Sequence, residues 1–250
     1  MIIRGEQVRA LKDALVGRFE DELVLHLRDF APALCRQHDE ASVREIVRAG
    51  VRRATAIGLT RRAPIRLWLE MQFSLGSDFD SDPQLPWAAA SLIDASQHPL
   101  GCAEALYAAS GDYFDAVAGP DNQYMVEALR RAVDVPLGEF TRLSNADAFI
   151  ARMASIYPQK VAYVGHAALR AVFRTAIDSA ARYDVAPGGA PLIAGLMFAF
   201  GHGAVGDPLY PWVRSTLSDG SASADRGVSR LHERAVAYAK AVVRHLRSKG

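Results

Sequence analysis

The stretch from Trp68 to Trp87 returns in altered form 125 residues later as Ile193 to Trp212, and this recurrence restricts the possible folds more than any other feature of the chain. Phe73 matches Phe198, Gly76 matches Gly201, Asp82-Pro83 matches Asp207-Pro208, and Pro86-Trp87 matches Pro211-Trp212. The same spacing carries on downstream without a gap, pairing Leu92, Asp94, Leu106, Tyr113 and Val117 with Leu217, Asp219, Leu231, Tyr238 and Val242. Upstream the signal thins to Val47 and Ala56 against Val172 and Ala181. A register kept over this length points to a tandem duplication. Two similar halves, residues 1–120 and 121–250, are expected to pack as a pseudo-twofold pair within one compact unit.

Each half reads as helices. From about residue 4 to 29, Val8, Leu11, Leu15, Phe19, Leu23 and Leu27 recur at spacings of three and four with charges between them, which predicts a long amphipathic helix. The same period predicts a second helix over 41–57, closed by Gly58. Ile65 to Leu75 is apolar nearly all round, as a central buried helix should be, and Gly76 suits its C-cap because it lacks a Cβ. Asp82-Pro83 and Asp207-Pro208 read as N-cap and first helical residue of the next helix in each half, with Trp87 and Trp212 packing back on Phe73 and Phe198. Further helices are predicted over 102–117, 121–133, 146–156, 158–183, 191–200 and 207–217. A last amphipathic helix carries Val228 to Leu246 after the polar loop Ser218 to Asp225. Pro136-Leu-Gly138 is the natural linker. No β pattern appears, so the fold class is all-α, a pseudo-twofold helical bundle.

Half of the 250 residues are apolar, enough to bury a substantial core. With 29 basic and 28 acidic residues the net charge is +1, which provides no general attraction to nucleic acid or to an acidic membrane surface. Two cysteines, Cys35 and Cys102, are too few for a disulfide scaffold and read as reduced thiols. The opening residues lack the apolar core of a signal peptide, and the longest apolar run, Ala190 to Phe200, falls short of a bilayer span. The expectation is a cytoplasmic protein.

Charge is concentrated in two places. Arg44, Arg48 and Arg52 share one helical face and are joined by Arg53, Arg61, Arg62 and Arg66, a stripe that either grips an acidic partner or is a solvated face pairing with nearby carboxylates. The turn Ser77 to Pro83 holds Asp78, Asp80 and Asp82 at alternating positions, but Pro83 and Ala89 stand where a calcium loop needs glycine and glutamate. In the second copy Asp78 and Asp80 become Gly203 and Val205, so no metal or other cofactor is expected at this turn. Cys35 and His38 lack the further ligands of a zinc site. His202, between Gly201 and Gly203, reads as an imidazolium held at a helix C-terminus or as a catalytic group. No nucleophile elbow, phosphate loop or dinucleotide fingerprint is present. The enzyme reading that can be built uses Glu70, Asp78 and Asp80 as a carboxylate cluster facing Arg61, Arg62 and Arg66, with a metal or as general acid and base. A third reading is a small-molecule sensor using the groove between the halves, with Trp87 and Trp212.

The opening Met-Ile-Ile-Arg-Gly-Glu-Gln, then Phe19, His26-Leu27, Phe30, Cys35 and the block Met71-x-Phe73-x-x-Gly76-x-Asp78-Phe79-Asp80-x-Asp82-Pro83-x-x-Pro86-Trp87, resembles a group of small uncharacterised helical bacterial proteins. Their genes often stand beside those for type VI secretion spike tips and effectors. The resemblance covers roughly the first 95 residues, and the group brings no catalytic residues with it. It implies a non-enzymatic scaffold that binds another protein: an adaptor or chaperone for an exported effector or spike component, or an immunity protein that blocks one. On that reading Arg44, Arg48, Arg52, Arg61, Arg62, Arg66, Asp78 and Asp80 form the partner surface. Gly76, Asp82, Pro83, Pro86 and Trp87, with Gly201, Asp207, Pro208, Pro211 and Trp212, form the structural motif.

Overall fold

The computed structural model describes residues 5–93, 98–219 and 224–247, and among these it is all-helical, without a strand. The first half runs through α1 (Gly5–Phe30), α2 (Pro32–Cys35), α3 (Glu40–Ala56), α4 (Arg62–Leu75), α5 (Pro86–Ser91) and α6 (Pro99–Val117). α7 (Gln123–Val133) and α8 (Leu137–Thr141) follow. The second half continues through α9 (Ala146–Ile156), α10 (Pro158–Val164), α11 (His166–Arg182), α12 (Ala190–Phe200), α13 (Pro211–Leu217) and α14 (Ala224–Arg247). Asp94, residues 1–4 of the opening and residues 220–223 of the predicted polar loop lie outside the described residues, as do the side chains of Val8, Leu11 and Leu246.

Local chemistry accounts for most boundaries. Asp39 caps α3 by accepting a 2.7 Å hydrogen bond from the Ser42 N–H, and Gly58, at φ +102°, turns the chain away after it. Two expectations are corrected. The helix predicted over 158–183 is two helices, because Gly165 adopts φ +80° and ψ 159° and redirects the chain between α10 and α11. Asp82 and Asp207 are not N-caps: α5 and α13 begin at Pro86 and Pro211, and their cap residues are Leu85 and Tyr210, which make no side-chain cap bond. The aspartates are used elsewhere, as described below. The predicted linker is also more than a linker, since α8 starts at Leu137 and buries Phe140.

α4 and α12 form the centre. Trp68 and Leu69 of α4 and Ile193 and Ala194 of α12 are completely buried, and each pair stands 125 residues from the other. Ile65, Met71, Gln72 and Phe73 are buried, and so are Ala190, Leu196, Met197 and Phe198 at that spacing. α1 and α3 pack on α4, α11 packs on α12, and α9 packs on α11 in turn. Here the correspondence runs at 126. The buried Leu23, Val24 and Leu27 of α1 answer to Phe149, Ile150 and Met153 of α9. Val43, Ile46, Val47 and Ala54 of α3 answer to Leu169, Val172, Phe173 and Ala180 of α11. Pro32 and Pro158 each open a helix. The upstream matches of Val47 with Val172 and Ala56 with Ala181 are therefore one residue out of step with the burial pattern, because the equivalent buried positions Ala180 and Ala190 stand one residue closer in sequence than Ala54 and Ile65.

Candidate functional site

The ends of α4 and α12 meet, and each is closed by an aspartate from the other half. Gly76 (φ +102°, ψ 156°) and Gly201 (φ +98°, ψ 154°) share one conformation at the two C-termini. After Gly201, the His202 N–H donates to Asp82 Oδ2 at 2.7 Å. After Gly76, the Ser77 N–H donates to Asp207 Oδ2 at 2.8 Å. Each carboxylate also holds its own turn, Asp82 accepting from the Gln84 N–H at 2.8 Å and Asp207 from the Leu209 N–H at 2.9 Å. The four donors and acceptors of one clasp are the counterparts, 125 residues along, of those in the other.

The clasps differ electrostatically. Burial pushes the Asp82 carboxyl up, but the hydrogen bonds from His202 and Gln84 outweigh it and hold the group below its ordinary range. Burial wins at Asp207, whose carboxyl is raised despite the bonds from Ser77 and Leu209. His202 Nδ1 lies 3.5 Å from Asp82 Oδ2, a long contact that becomes an ion pair on protonation, and the imidazole is raised first by Asp82 and further by the charges of Asp78 and Asp80. The sequence placed this ring at the helix end; its buried carboxylate partner was not foreseen. A raised histidine stabilises the fold below its unfolded value of about 6.5 and loses that contribution as pH rises through the folded value. The unaltered protein is thus expected to exceed His202→Gln in urea midpoint at about pH 5.5, with the gap closing by about pH 8.5.

The charged residues predicted to face a partner are largely engaged within the chain. Arg44 binds Asp21 at 2.6 Å, Arg48 binds Glu20 at 2.9 Å and Glu45 at 2.7 Å, and Arg62 pairs with Glu22 while lying over the Phe19 ring. These contacts zip α3 and the start of α4 to α1. Arg52 and Arg61 are exposed. Arg53, which the sequence reading gave only a supporting place, bridges Asp78 and Asp80, reaching the second at 2.5 Å, and donates to the Ser77 carbonyl at 2.9 Å. Glu70 belongs to a separate group, with His26 at 2.7 Å and Arg66 at 3.0 Å. The carboxylates of the enzyme reading are thus divided between different partners. Among the described residues no group of three His, Cys, Asp or Glu side chains gathers as a metal site requires.

Cys35 and His38 also go separate ways: the thiol donates to the Leu27 carbonyl and the imidazole Nε2 contacts the Leu209 carbonyl at 3.0 Å. Both cysteines are free and buried. Trp87 and Trp212 have tyrosines rather than Phe73 and Phe198 as aromatic partners. Trp87 meets Tyr113 with ring centroids 5.7 Å apart, and Trp212 meets Tyr238 at 6.1 Å, again residues 125 apart.

A cavity of about 600 Å³ lies between the halves, and neither Trp87 nor Trp212 lines it. Residues 125 or 126 apart enter it from both sides: Ala31 and Tyr157, Leu34 and Lys160, Phe73 and Phe198. α7, α8, α12 and α14 complete the wall, mostly with apolar side chains, and among the described residues no aspartate or glutamate takes part. Among the described residues Lys160 is the buried lysine or arginine of this wall. Nζ donates to the Phe198 carbonyl at 2.5 Å and sits 4.9 Å from the centroid of the Phe198 ring. Burial pulls the amine down to about 8, against the opposing charge of Asp82. The sequence reading missed this lysine. The signal was a single cation standing, at the 126-residue spacing, where the other half has Leu34. Among the described residues no helix is long and apolar enough to cross a membrane. No family model, curated protein or solved structure matches the chain.

Proposed function

We propose that the chain is a non-enzymatic binding scaffold, built by tandem duplication of one helical unit whose copies pack about a pseudo-twofold axis, with the cavity between the halves as its binding element. The duplication is supported by the two clasps, the matched glycines and the matched burial. The binding role is carried by the cavity itself, whose volume of about 600 Å³ falls within the range of small-molecule sites, roughly 300–1,000 Å³. An apolar lining with few polar groups suits uptake of an apolar molecule through desolvation. Titration with the neutral, environment-sensitive dye N-phenyl-1-naphthylamine is expected to give saturable fluorescence at one dye per chain. A linear, non-saturating response would end this reading.

A protein partner, as the resemblance implies for an adaptor or immunity protein, is the second reading. It is favoured by the exposed Tyr107 and Leu100, two turns apart on α6, with the exposed Ile93 just before that helix. Affinity capture followed by native mass spectrometry separates the two readings, since a small ligand and a second polypeptide add different masses.

A further inference from the structure

We propose that the cavity takes a single-chain organic carboxylate, with the apolar tail along the wall and the anionic head at Lys160; this rests on the binding reading above and names its ligand class. An apolar cavity alone does not select a head group. Lys160 does, because an ammonium group has three N–H donors and the Phe198 carbonyl accepts only one.

Capping α12 explains part of this lysine. A cation near the last carbonyls of a helix is favourable, and the Phe198 carbonyl is one of those left without a partner inside the helix. That role needs no cavity, and beyond the Phe198 carbonyl and ring the ammonium has no hydrogen-bond or ion-pair partner among the described residues. Burying a cation so incompletely paired is costly, and the site compensates little. Asp82 is the negative charge felt at Lys160, yet its oxygens are occupied by the amides of His202 and Gln84 and by the Gln84 side chain. It forms no ion pair with the amine.

The remaining titratable groups around the cavity favour an anion as well. They are His232, His245 and the tyrosines Tyr157, Tyr210 and Tyr238, none of which supplies a negative charge near neutrality. The Tyr157 hydroxyl is committed to the Val117 carbonyl at 2.7 Å, and the His232 ring contacts the Val135 carbonyl at 3.1 Å. Among the described residues that line the cavity, a carboxylate therefore meets the Lys160 ammonium, opposite in sign, and no acidic side chain; Asp82, whose charge reaches Lys160, does not line it. A cationic amphiphile of the same tail length meets the reverse.

The test is calorimetric titration of the whole chain with dodecanoate, dodecan-1-ol and dodecyltrimethylammonium, each below its aggregation limit. Dodecanoate is expected to bind about tenfold or more tightly than the alcohol, and the cation most weakly. In Lys160→Met the carboxylate and the alcohol should converge, and Ala235→Trp, which fills the cavity, should bind neither. If the unaltered protein binds alcohol and carboxylate equally, the head-group assignment falls while the cavity reading stands. If no chain binds, both fall. The head-group comparison is made on the unaltered protein, so it decides the matter even if Lys160→Met fails to fold.

Discussion

Gly76→Ala is expected to destabilise the protein by about 2–5 kcal/mol and to lower its melting temperature by about 5–15 °C. Two costs add at this position. The residue sits at φ +102°, where an L side chain is strained, and an added Cβ would run into the Phe200 carbonyl at the end of the opposite central helix. Backbone cannot swing aside as a flexible side chain can. Gly201 mirrors the position, its Cβ falling 2.7 Å from the Leu75 carbonyl. Gly111→Ala, inside α6 with open space around the added atom, is the matched control and should be neutral or stabilising. Thermal unfolding of the two variants side by side separates the junction from a general glycine effect. Equal melting temperatures would mean that the two helix ends do not approach as described.

Asp82→Ala should cost roughly 3–5 kcal/mol, measured by urea unfolding near neutral pH. The carboxylate accepts from the His202 and Gln84 amides and from the Gln84 side chain, and removing it strands these donors in the interior. It also removes the negative charge that partly offsets the cost of burying the Lys160 ammonium. Asp207→Ala should cost less. Its carboxyl is raised rather than lowered, so the folded state gains less from its charge, and the Ser77 hydroxyl that binds it at 2.6 Å can turn to another acceptor. The pH dependence should differ in the same sense. A depressed Asp82 contributes above its unfolded value of about 3.8 and loses that contribution as pH falls through the folded value. A raised Asp207 contributes below its unfolded value and loses it as pH rises. The Asp82→Ala deficit should therefore shrink on acidification, while the Asp207→Ala deficit should grow.

The helices were legible because their signals are local. Apolar spacing and the placement of Gly58, Gly76 and Gly201 depend on the nearest few residues, and α3, α4 and α12 follow from them. The break at Gly165 was missed because Pro158 to Tyr183 keeps a helical pattern on both sides of it, and the pattern does not record a change of axis. The Asp-Pro turns were misassigned for another reason. An aspartate before a proline suits a local cap, and nothing near it in sequence announces an amide 120 or 130 residues away as the partner. The same holds for the site. The arginines were visible as a stripe, but the carboxylates that engage them lie on α1, an element whose orientation the stripe does not specify. Lys160 carried no motif at all; its meaning comes from Leu34, Phe73 and Phe198 arriving around it from remote segments.

The exchanged clasps have a further consequence for how such a chain can come apart. Because the amide exposed at the end of α4 is sealed from residue 207 and the one at the end of α12 from residue 82, opening either half uncovers buried polar groups in both. Neither half can fray by itself at little cost, and unfolding should pass through one cooperative step rather than two. If the chain arose by tandem duplication, as proposed, a forerunner with a single copy would have faced the same unmet amide, and its nearest remedy would have been a second identical chain offering the same aspartate. Fusing the two would then have turned an interface that depended on protein concentration into one that does not.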